Sequence, residues 1–399
     1  MIDKDITAYN SAGQSKEDLI ITPGSGYIDE VWEIPPKANT QYYTHGMYRY
    51  IGKFPPQIPR EILLRYAKPG MTVLDPMCGG GTTLTESVLA GCNAIGMDVN
   101  PVSLLISSVV STPYDMDKLS QYCCMIKEAI LSWDEESIFY NPSNIPVTKP
   151  LKLGDNDKYF SKEALKDCQL LLGWIDSIKE KPYHNFFLVA LLAILRKISF
   201  ANVKKINVTI DTSKKVQSVF PTYTKQIDTM LNAEQRTQMA WTPAAVELMN
   251  GDARKNPLGN ESVDIVIIHP PYLSNTAFSE STQLQLAFLG INHKTIWKKE
   301  LKMRGSYLHE PDGLRKYLVG WHSILKEAYR VLRPNGICAI ENGDGYTDYV
   351  RIPVGVITRE FAQDIGFSIE RHILHKINNN TGKTLSHNMK EHHIIIMRK

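Results

Sequence analysis

Two short segments of the chain combine reactive side chains with glycines or prolines that constrain the backbone. The first is Asp75-Pro76-Met77-Cys78-Gly79-Gly80-Gly81-Thr82, and the second is His269-Pro270-Pro271-Tyr272. Each follows a short apolar run that predicts a buried β-strand. Because the sites of α/β proteins lie at the carboxyl ends of parallel strands, we expect the two segments to lie side by side along one edge of a sheet.

The segment from Met71 to Pro101 predicts a strand, a glycine-rich turn, a helix that opens at Thr82 or Thr83, and a second strand that ends at Asp98. Glycines in such a turn let the backbone approach a ligand closely. An acidic side chain at the tip of the second strand can accept hydrogen bonds from ribose hydroxyls. Asp98 lies about twenty residues beyond the glycines, which is the spacing that this kind of site requires.

The composition of the glycine loop narrows the choice of ligand. The loop lacks the Lys-Ser/Thr pair of a phosphate-binding P-loop, and it is not the GxGxxG of dinucleotide enzymes. Asp75 adds a negative charge that would repel a phosphate and attract an ammonium or sulfonium group. S-adenosylmethionine carries both of these cations and a ribose, so it is the predicted ligand.

The glycine loop and the later run Gly96-Met97-Asp98-Val99-Asn100-Pro101 resemble the cofactor motifs of the amino-methylating DNA methyltransferases, which modify the exocyclic nitrogen of cytosine or adenine. The likeness extends upstream to Thr44-His45-Gly46 and to residues 50–54, which are similar to the segment that precedes the cofactor loop in that family. It extends downstream to residues 264–272, which look like the family's catalytic strand and loop. The middle of the chain is not covered.

The resemblance implies a cofactor site built from several segments. The loop from Asp75 to Thr82 would hold the methionine portion of S-adenosylmethionine, Asp98 its ribose and Asp252 its adenine amino group. The aromatic segment before the loop would close over the methionine half. The residues predicted to bind the cofactor are Lys53, Phe54, Asp75, Pro76, Met77, Cys78, Gly79, Gly81, Thr82, Asp98, Asn100, Asp252 and Ala253.

The predicted catalytic residues are His269, Pro270, Pro271 and Tyr272. Consecutive prolines lack backbone N–H donors and fix their carbonyls in an extended geometry, so they present free acceptors to the two N–H groups of an exocyclic amine. Satisfying both donors draws the nitrogen lone pair out of ring conjugation and toward the methyl group. Tyr272 would stack against a base rotated out of the duplex. Without the cofactor motifs, a strand-terminating turn with Tyr272 in the core would be the better interpretation.

His269 departs from the family pattern, which usually has Asp, Asn or Ser at this position. A neutral imidazole can accept an amino hydrogen through one ring nitrogen, whereas an imidazolium cannot. We therefore predict that activity falls as the pH drops below the pKa of His269 in the folded protein, and a profile unchanged from about pH 8 to about pH 5.5 would contradict this role. Since Ser accompanies cytosine and Asp or Asn adenine, His269 leaves the target base open. Loss of activity is also left open.

Size and composition set broad limits on the protein. Its 399 residues can form one large domain or two ordinary ones, and the net charge of +3 is too small to indicate a nucleic-acid binder by itself. The six cysteines are scattered without metal-ligand spacing, which predicts reduced thiols, no metal and a cytoplasmic location. The N-terminus has no apolar signal region, and the longest apolar run, Phe186 to Leu195, predicts a core helix and no membrane segment.

The predicted fold is α/β, a Rossmann-like methyltransferase sheet that is mostly parallel, with an antiparallel C-terminal hairpin and a helical insertion. Residues 1–40 are predicted to be an N-terminal arm, residues 41–110 and 241–399 the catalytic domain, and residues 111–240 a mainly helical insertion that could contact DNA. Helices are predicted at Met116–Trp133, Lys162–Ile178, Asn185–Phe200 and Leu314–Val331; strands are predicted at Val246–Met249 and Val263–Ile268, and Phe367–His375 is expected to pair with Glu391–Met397.

Two basic segments are candidates for phosphate contacts. Residues 202–237 interleave lysines with Phe220 and Tyr223, which fits a DNA-facing loop and a solvated charged surface about equally well. The segment after Tyr272 is more basic and lies just past the catalytic edge, although a charged helix face is the alternative. Its predicted nucleic-acid-binding residues are Lys294, Trp297, Lys298, Lys299, Lys302 and Arg304.

These patterns together predict a DNA methyltransferase that transfers methyl from S-adenosylmethionine to an exocyclic amino nitrogen of double-stranded DNA, with base flipping. Cytosine N4 is slightly favoured over adenine N6, because the segment before the cofactor loop looks most like that of the cytosine enzymes. One alternative is a methyltransferase of RNA guanosine or of a protein amide, and another is a non-catalytic DNA-binding subunit that keeps the fold. A restriction or defence partner protein is left open.

Overall fold

The computed structural model describes residues 18–133, 146, 148, 150–273, 277–301, 312–347, 350–377 and 391–399. Its strands in chain order are β1 (Ile20–Pro23), β2 (Glu30–Glu33), β3 (Thr72–Asp75), β4 (Asn93–Asp98), β5 (Val246–Asn250), β6 (Val263–Ile268), β7 (Leu332–Gly343), β8 (Gly345–Thr347), β9 (Val350–Ile352), β10 (Ser368–Lys376) and β11 (Glu391–Arg398). Its helices are α1 (Gln57–Tyr66), α2 (Thr82–Leu89), α3 (Pro101–Val110), α4 (Met116–Trp133), α5 (Lys162–Ser177), α6 (Lys181–Ile194), α7 (Val219–Thr237), α8 (Phe278–Ser281), α9 (Gln283–Phe288), α10 (His293–Trp297), α11 (Gly313–Val331) and α12 (Val354–Ile365).

Nine of these strands form one mixed sheet in the order β1-β2-β10-β11-β7-β6-β3-β4-β5. The strands β7, β6, β3, β4 and β5 pair in parallel, whereas β11 pairs antiparallel with both β7 and β10. The carboxyl ends of the parallel strands therefore share one edge, called here the carboxyl edge. The mostly parallel sheet and its antiparallel C-terminal hairpin confirm the predicted fold class.

Strand β6 shows why this sheet is buried on both faces. Ile265 and Ile267 pack with α1 on one face, while Val266 and Ile268 pack with α11 on the other, and all four are almost fully buried. An uninterrupted apolar run is typical of a parallel strand covered by helices on both sides. The same run leads directly into His269, so burial of the strand fixes where the His-Pro-Pro-Tyr bend begins.

The helices between β4 and β5 pack against α3 in one apolar core that includes Phe186, Phe187 and Tyr223. Helices were correctly predicted at α4 and α5. Helix α6 begins about four residues before its predicted start and ends about six residues before its predicted end. Of the two interpretations left open for residues 202–237, a DNA-facing loop does not hold for the second half, because residues 219–237 form α7. Tyr223 is fully buried there, and its hydroxyl donates a hydrogen bond to the Phe187 carbonyl at 3.0 Å.

Lys214 is also unsuited to the phosphate contact considered for this segment. Its ammonium donates to the carbonyls of Ser199 at 2.5 Å and Ala201 at 3.0 Å, and to that of Arg196. These bonds satisfy carbonyls at the end of α6 and in the turn that follows it. Lys204 and Lys205 are exposed and stay candidates for contact with a polyanion.

Residues 18–40 are not the irregular arm that the sequence predicted. Strand β2 pairs in parallel with β10, and Trp32 is completely buried beneath it in the core shared with α1. The Arg65 guanidinium lies 5.0 Å from the Trp32 ring and donates to Glu30 at 2.9 Å. The strands were missed because each has only four residues and no apolar alternation.

The described residues contain no helix long and apolar enough to cross a membrane. All six cysteines lie within them, and none is paired in a disulfide.

Candidate active site

The two bends singled out from the sequence line one cavity at the carboxyl edge. Strands β3 and β6 are adjacent and parallel, with Val73 opposite Ile265, so the loops that follow them emerge side by side. The cavity opens to solvent, and about 970 Å³ of empty space lies within it when the open mouth is included. Its walls include Lys53, Phe54, Asp75, Met77, Cys78, Gly79, Gly80, Thr82, Asp98, Asn100, His269, Pro270, Pro271 and Tyr272.

The glycine loop is packed so closely that side chains are excluded. Gly81 has φ +77°, and a Cβ at this position would lie 2.9 Å from the Ser107 Cα and 2.8 Å from Val110. A Cβ on Gly80 would lie 2.9 Å from that of Tyr50. The loop therefore needs glycine both for its left-handed turn and for the approach of α3 and Tyr50.

Asp98 holds the loop in place while facing the cavity. One carboxylate oxygen accepts the Gly79 N–H at 3.0 Å, and the other accepts the Asn100 N–H at 2.8 Å. Burial raises the pKa of Asp98 to about 6 despite these two bonds. The Asn100 side chain caps α3 by accepting the Val102 N–H at 3.0 Å, so its observed contacts are structural.

Asp75 lies at the end of β3, where it is buried and accepts the Met77 N–H at 3.0 Å. Burial raises its pKa to about 7, and the neighbouring Asp98 carboxylate adds to the shift. Two acidic groups thus share this wall of the cavity. A cation placed between them would favour the charged form of both.

The segment before α1 is tied down by a buried polar cluster that the sequence did not reveal. Glu86 on α2 contacts His45 Nε2 at 2.6 Å and accepts the Tyr42 hydroxyl at 2.7 Å. The Lys53 ammonium donates to the His45 carbonyl at 2.5 Å, and burial lowers the pKa of Lys53 to about 7. This cluster positions Lys53 and Phe54 in the wall of the cavity, and their predicted contact with the cofactor stays a prediction.

His269 and Tyr272 contact each other within the second bend. Nε2 of His269 lies 2.5 Å from the Tyr272 hydroxyl, and the imidazole stacks on Phe54 with ring centroids 4.7 Å apart and planes at 6°. Burial lowers the pKa of His269 to about 4, so the ring is neutral near pH 7. The Pro271 carbonyl accepts the Tyr317 hydroxyl at 3.1 Å, which fixes the second proline on α11.

The proton positions in this bend follow from a residue on the neighbouring strand β7. Glu341 accepts from His392 Nδ1 at 2.9 Å, and the same nitrogen lies 3.2 Å from the Tyr272 hydroxyl. With the Glu341 carboxylate ionised, His392 Nδ1 must carry a proton and cannot accept one from Tyr272. The Tyr272 hydroxyl therefore donates to His269, whose Nε2 lone pair is occupied by this bond.

Asp252 and Ala253 line a second, smaller cavity that shares Met77 and Asp98 with the first. The Asp252 carboxylate is held by the Arg254 guanidinium at 2.6 Å and 2.8 Å. This contact keeps the pKa of Asp252 below its ordinary value, although burial acts in the opposite direction. Asp252 thus reaches the site as a charged, oriented carboxylate, and its predicted adenine contact stays a prediction.

The predicted DNA-contacting residues lie on and after α10. Lys294, Lys298 and Lys299 are exposed, and Trp297 is half-buried at the end of the helix. The Lys299 carbonyl accepts from Arg254 at 2.8 Å, which attaches this segment to the second cavity. Lys302 and Arg304 lie outside the described residues.

The cavity wall also includes residues that were not predicted individually as site residues, among them Tyr50, Phe278 and Glu300. Tyr50 stacks on Phe278 with centroids 6.0 Å apart, and its hydroxyl lies 2.9 Å from Ser103 Oγ. Glu300 accepts the Ser279 N–H at 2.7 Å and closes the same wall. An aromatic next to the glycine loop could have marked Tyr50, but nothing local distinguishes Phe278 or Glu300.

The fold and this cavity define a class of protein: an α/β protein with an open cavity at the carboxyl ends of parallel strands, where such folds bind their ligands. Comparison with known proteins narrows the class. Residues 3–107 match the model of the N6/N4 methyltransferase family, described as DNA methylase. The resemblance predicted from the sequence is therefore confirmed over this part of the chain.

Two curated relatives are type II methyltransferases. The chain is 30% identical over 165 residues to M.MvaI of Kocuria varians, a match that covers 41% of this chain and 36% of that protein. It is 23% identical over 326 residues to M.BsoBI of Geobacillus stearothermophilus, with coverage of 73% and 62%. The chain thus spans less than two thirds of the length of either relative.

Among solved structures, the chain is similar to a putative DNA modification methylase from Thermus thermophilus complexed with S-adenosyl-L-methionine. The match has 19% identity, covers 37% of this chain and 53% of that one, and has a TM-score of 0.26. At this low TM-score the likeness supports no conclusion about the present site.

Proposed function

We propose that this protein transfers a methyl group from S-adenosylmethionine to an exocyclic amino nitrogen of a base in DNA. The observation that carries the proposal is the shared cavity: the glycine loop after β3 and the His-Pro-Pro-Tyr bend after β6 face each other across it. A methyl donor held by the first bend would lie next to an amine held by the second. The match to the DNA methylase family gives independent support.

The residues of the cavity fit the cofactor. Asp98 would accept hydrogen bonds from the ribose hydroxyls while it keeps its contacts with Gly79 and Asn100. Asp75 would face the cationic methionine portion, and the glycine loop leaves the space that a Cβ would fill. Asp252, oriented by Arg254, would accept from the adenine amino group at the second cavity. When bound, S-adenosylmethionine supplies an electrophilic methyl group.

The protein contributes position and desolvation more than covalent chemistry. The predicted acceptors for the two amino hydrogens are His269 and the Pro270 carbonyl, while the Pro271 carbonyl is engaged by Tyr317. The stack on Phe54 and the burial of His269 keep its ring neutral, which is the form that can accept a hydrogen. His269 thus serves where Asp, Asn or Ser serves in the resembled family.

The contact between His269 and Tyr272 has a consequence for substrate entry. Because Tyr272 occupies the Nε2 lone pair, an incoming amine must displace the phenol before His269 can accept from it. A Tyr272 ring released from His269 becomes available to stack on the base that displaced it. Base binding and rotation of Tyr272 are therefore one exchange in which an amino hydrogen replaces the phenolic one.

The target is proposed to be double-stranded DNA with cytosine N4 favoured over adenine N6. Exposed lysines on and after α10 support contact with phosphates beside the cavity mouth. The preference for cytosine comes from the segment before the glycine loop, where the chain most resembles cytosine enzymes. A partner nuclease of a restriction system would fit the names of the relatives, which are type II methyltransferases.

A nucleoside digest tests the proposal directly. The full chain is incubated with methyl-labelled S-adenosylmethionine and separate pools of DNA and RNA, which are then digested to nucleosides and separated. Label in N4-methylcytosine is the expected result, and label in N6-methyladenine would correct the base alone. Label only in RNA would overturn the DNA assignment. Label in neither pool, together with measurable DNA binding, would identify a non-catalytic subunit.

A further inference from the structure

Three side chains of metal-ligand type meet on the C-terminal part of the sheet: Glu341 on β7, His375 on β10 and His392 on β11. His375 and His392 are direct cross-strand partners, and His392 is opposite Gly343 in the next pair of strands. Since alternate residues of a strand share a face, Glu341, two residues before Gly343, lies on the same face as both histidines. The sheet register therefore fixes the cluster.

The ligand atoms of this cluster are close together and shielded from water. Nδ1 of His375 and Nδ1 of His392 lie 2.8 Å and 2.9 Å from the same carboxylate oxygen of Glu341. All three ligand atoms lie within 4.8 Å of one another. The side chains of His375, Glu341 and His392 are 2%, 1% and 9% exposed.

The Glu341 carboxylate is incompletely satisfied by its protein partners. Its Oε1 accepts from both histidines, but its buried Oε2 has no hydrogen-bond partner among the described residues. A buried anionic oxygen without a partner is costly, and a cation would satisfy it.

We propose that Glu341, His375 and His392 bind one divalent transition-metal ion, with Zn²⁺ as the reference ion. The ion would replace the proton that each histidine carries on Nδ1 in the metal-free protein, and the ring proton would move to Nε2. Two imidazoles and a carboxylate are a ligand set that zinc accepts, with bonds of about 2.0 to 2.2 Å. Tetrahedral bonds of that length separate ligand atoms by about 3.4 Å, so the two His–Glu contacts must widen by about half an ångström. Magnesium and calcium prefer oxygen ligands and fit this set poorly.

The proposed ion would lie next to the catalytic bend. The Tyr272 hydroxyl, 3.2 Å from His392 Nδ1, is placed to supply a fourth ligand or to hydrogen-bond one. Ion binding would join β7, β10 and β11 at the carboxyl edge, beside His269. Metal binding does not depend on methyl transfer, so it can be tested without an activity assay.

The test uses the untagged full chain, stripped with a chelator and titrated with Zn²⁺ by calorimetry. Bound metal is counted by mass spectrometry, and Co²⁺ absorption reports coordination by nitrogen and oxygen. We expect one equivalent of Zn²⁺ with a Kd of about 1 μM or tighter and a rise in Tm. Fewer than about 0.2 equivalents, or binding that leaves Tm unchanged, would overturn the proposal.

Variants separate this site from adventitious metal binding. Glu341→Gln keeps the size of the side chain and removes its charge, and it should weaken Zn²⁺ binding at least about tenfold. His375→Ala should abolish the Co²⁺ spectrum. His372→Ala is the matched control, because His372 is a buried histidine of the same strand whose Nε2 contacts His393 at 2.9 Å, outside the cluster. Equal binding by Glu341→Gln and the wild type, each folded by circular dichroism, would refute the assignment.

Discussion

The hydroxyl of Tyr272 lies 2.5 Å from Nε2 of His269, so the two side chains proposed to bind the target base are hydrogen-bonded to each other. Removing the hydroxyl should separate their roles. Tyr272→Phe keeps an aromatic ring and frees the lone pair of His269, so we expect kcat/KM for DNA within about threefold of wild type or higher. Tyr272→Ala also loses base stacking, worth about 1 to 3 kcal/mol, and should lower kcat/KM about tenfold to hundredfold. Equal losses in both variants would assign the effect to the hydroxyl and contradict the exchange.

The acceptor role of His269 can be tested by substitutions that keep or remove an acceptor. His269→Asn retains a carbonyl oxygen and should keep measurable methyl transfer, whereas His269→Ala should lose about a hundredfold in kcat. Affinity for S-adenosylmethionine, measured by calorimetry, should be unchanged in both. If His269→Ala were as active as the wild type, the ring would have no part in holding the amine.

The pH dependence expected from the sequence shifts once the environment of His269 is known. Because burial lowers its pKa to about 4, the ring stays neutral down to about pH 5. With cofactor and DNA saturating, kcat should therefore be flat from about pH 8 to about pH 5.5 and fall as the pH approaches 4. At an ordinary histidine pKa, a flat profile would have contradicted the acceptor role of His269, whereas at a pKa of about 4 it is the expected result. A fall in kcat near about pH 6.5 would contradict that role.

Cofactor binding should depend on pH through Asp75. Its pKa in the free protein is raised to about 7 by burial, and a cationic ligand favours the charged carboxylate. Affinity for S-adenosylmethionine should therefore rise as the pH increases from about 6 to about 8, with protons released near pH 7. Calorimetry in buffers of different ionisation enthalpy measures this release. Asp75→Asn should bind S-adenosylmethionine more weakly at about pH 8 and should lose most of the proton release. If this variant releases as many protons as the wild type, the released proton comes from Asp98.

Gly81 in the glycine loop and Gly70 before β3 offer a matched pair of stability variants. Gly81→Ala places a Cβ 2.9 Å from the Ser107 Cα at φ +77°, so it should lower the free energy of unfolding by about 2 to 4 kcal/mol. Gly70→Ala has φ +87° but nothing within 4 Å of the new Cβ, so only about 1 kcal/mol of backbone strain is expected. Urea denaturation compares the two. Similar losses would mean that crowding by α3 does not constrain the loop.

Two lysine pairs distinguish the candidate DNA surfaces. Replacing Lys298 and Lys299 by Gln should weaken binding to duplex DNA and lower the magnitude of the salt slope of log K by about 2. The same change at Lys204 and Lys205 should leave the slope unchanged if the segment after Tyr272 is the phosphate-contacting surface. Fluorescence anisotropy over a salt series gives both slopes. If only the change at Lys204 and Lys205 lowers the slope, the phosphate-contacting surface lies on the helical insertion.

The parts of the fold that were predicted are those specified locally. The Gly79–Gly81 turn and the Pro270-Pro271 bend carry their own backbone requirements, and the apolar run of β6 specifies a strand buried on both faces. Their meeting at one cavity was also expected from the sequence, because the carboxyl ends of parallel strands lie at one edge of a sheet. Strand β4 ends at Asp98, as the sequence predicted.

The contacts that were missed depend on register between strands far apart in the chain. His392 reaches Tyr272 only because β11 pairs antiparallel with β7, which places its first residues at the carboxyl edge. Glu341 follows an apolar run as an isolated charge, which is a weak hint of a buried polar role. No local spacing joins residues 341, 375 and 392, so a search for metal motifs in the sequence could not find them.

The short strand pair near the N-terminus has a consequence for solubility. Strand β10 has nine residues, and without β2 it would end the sheet with a long row of free backbone donors and acceptors. Such an edge invites another chain to add itself as a further strand. Strand β2 pairs with the last four residues of β10. The outermost strand is then β1, whose four residues are too few for extensive pairing with another chain. These residues thus guard the molecule against aggregation.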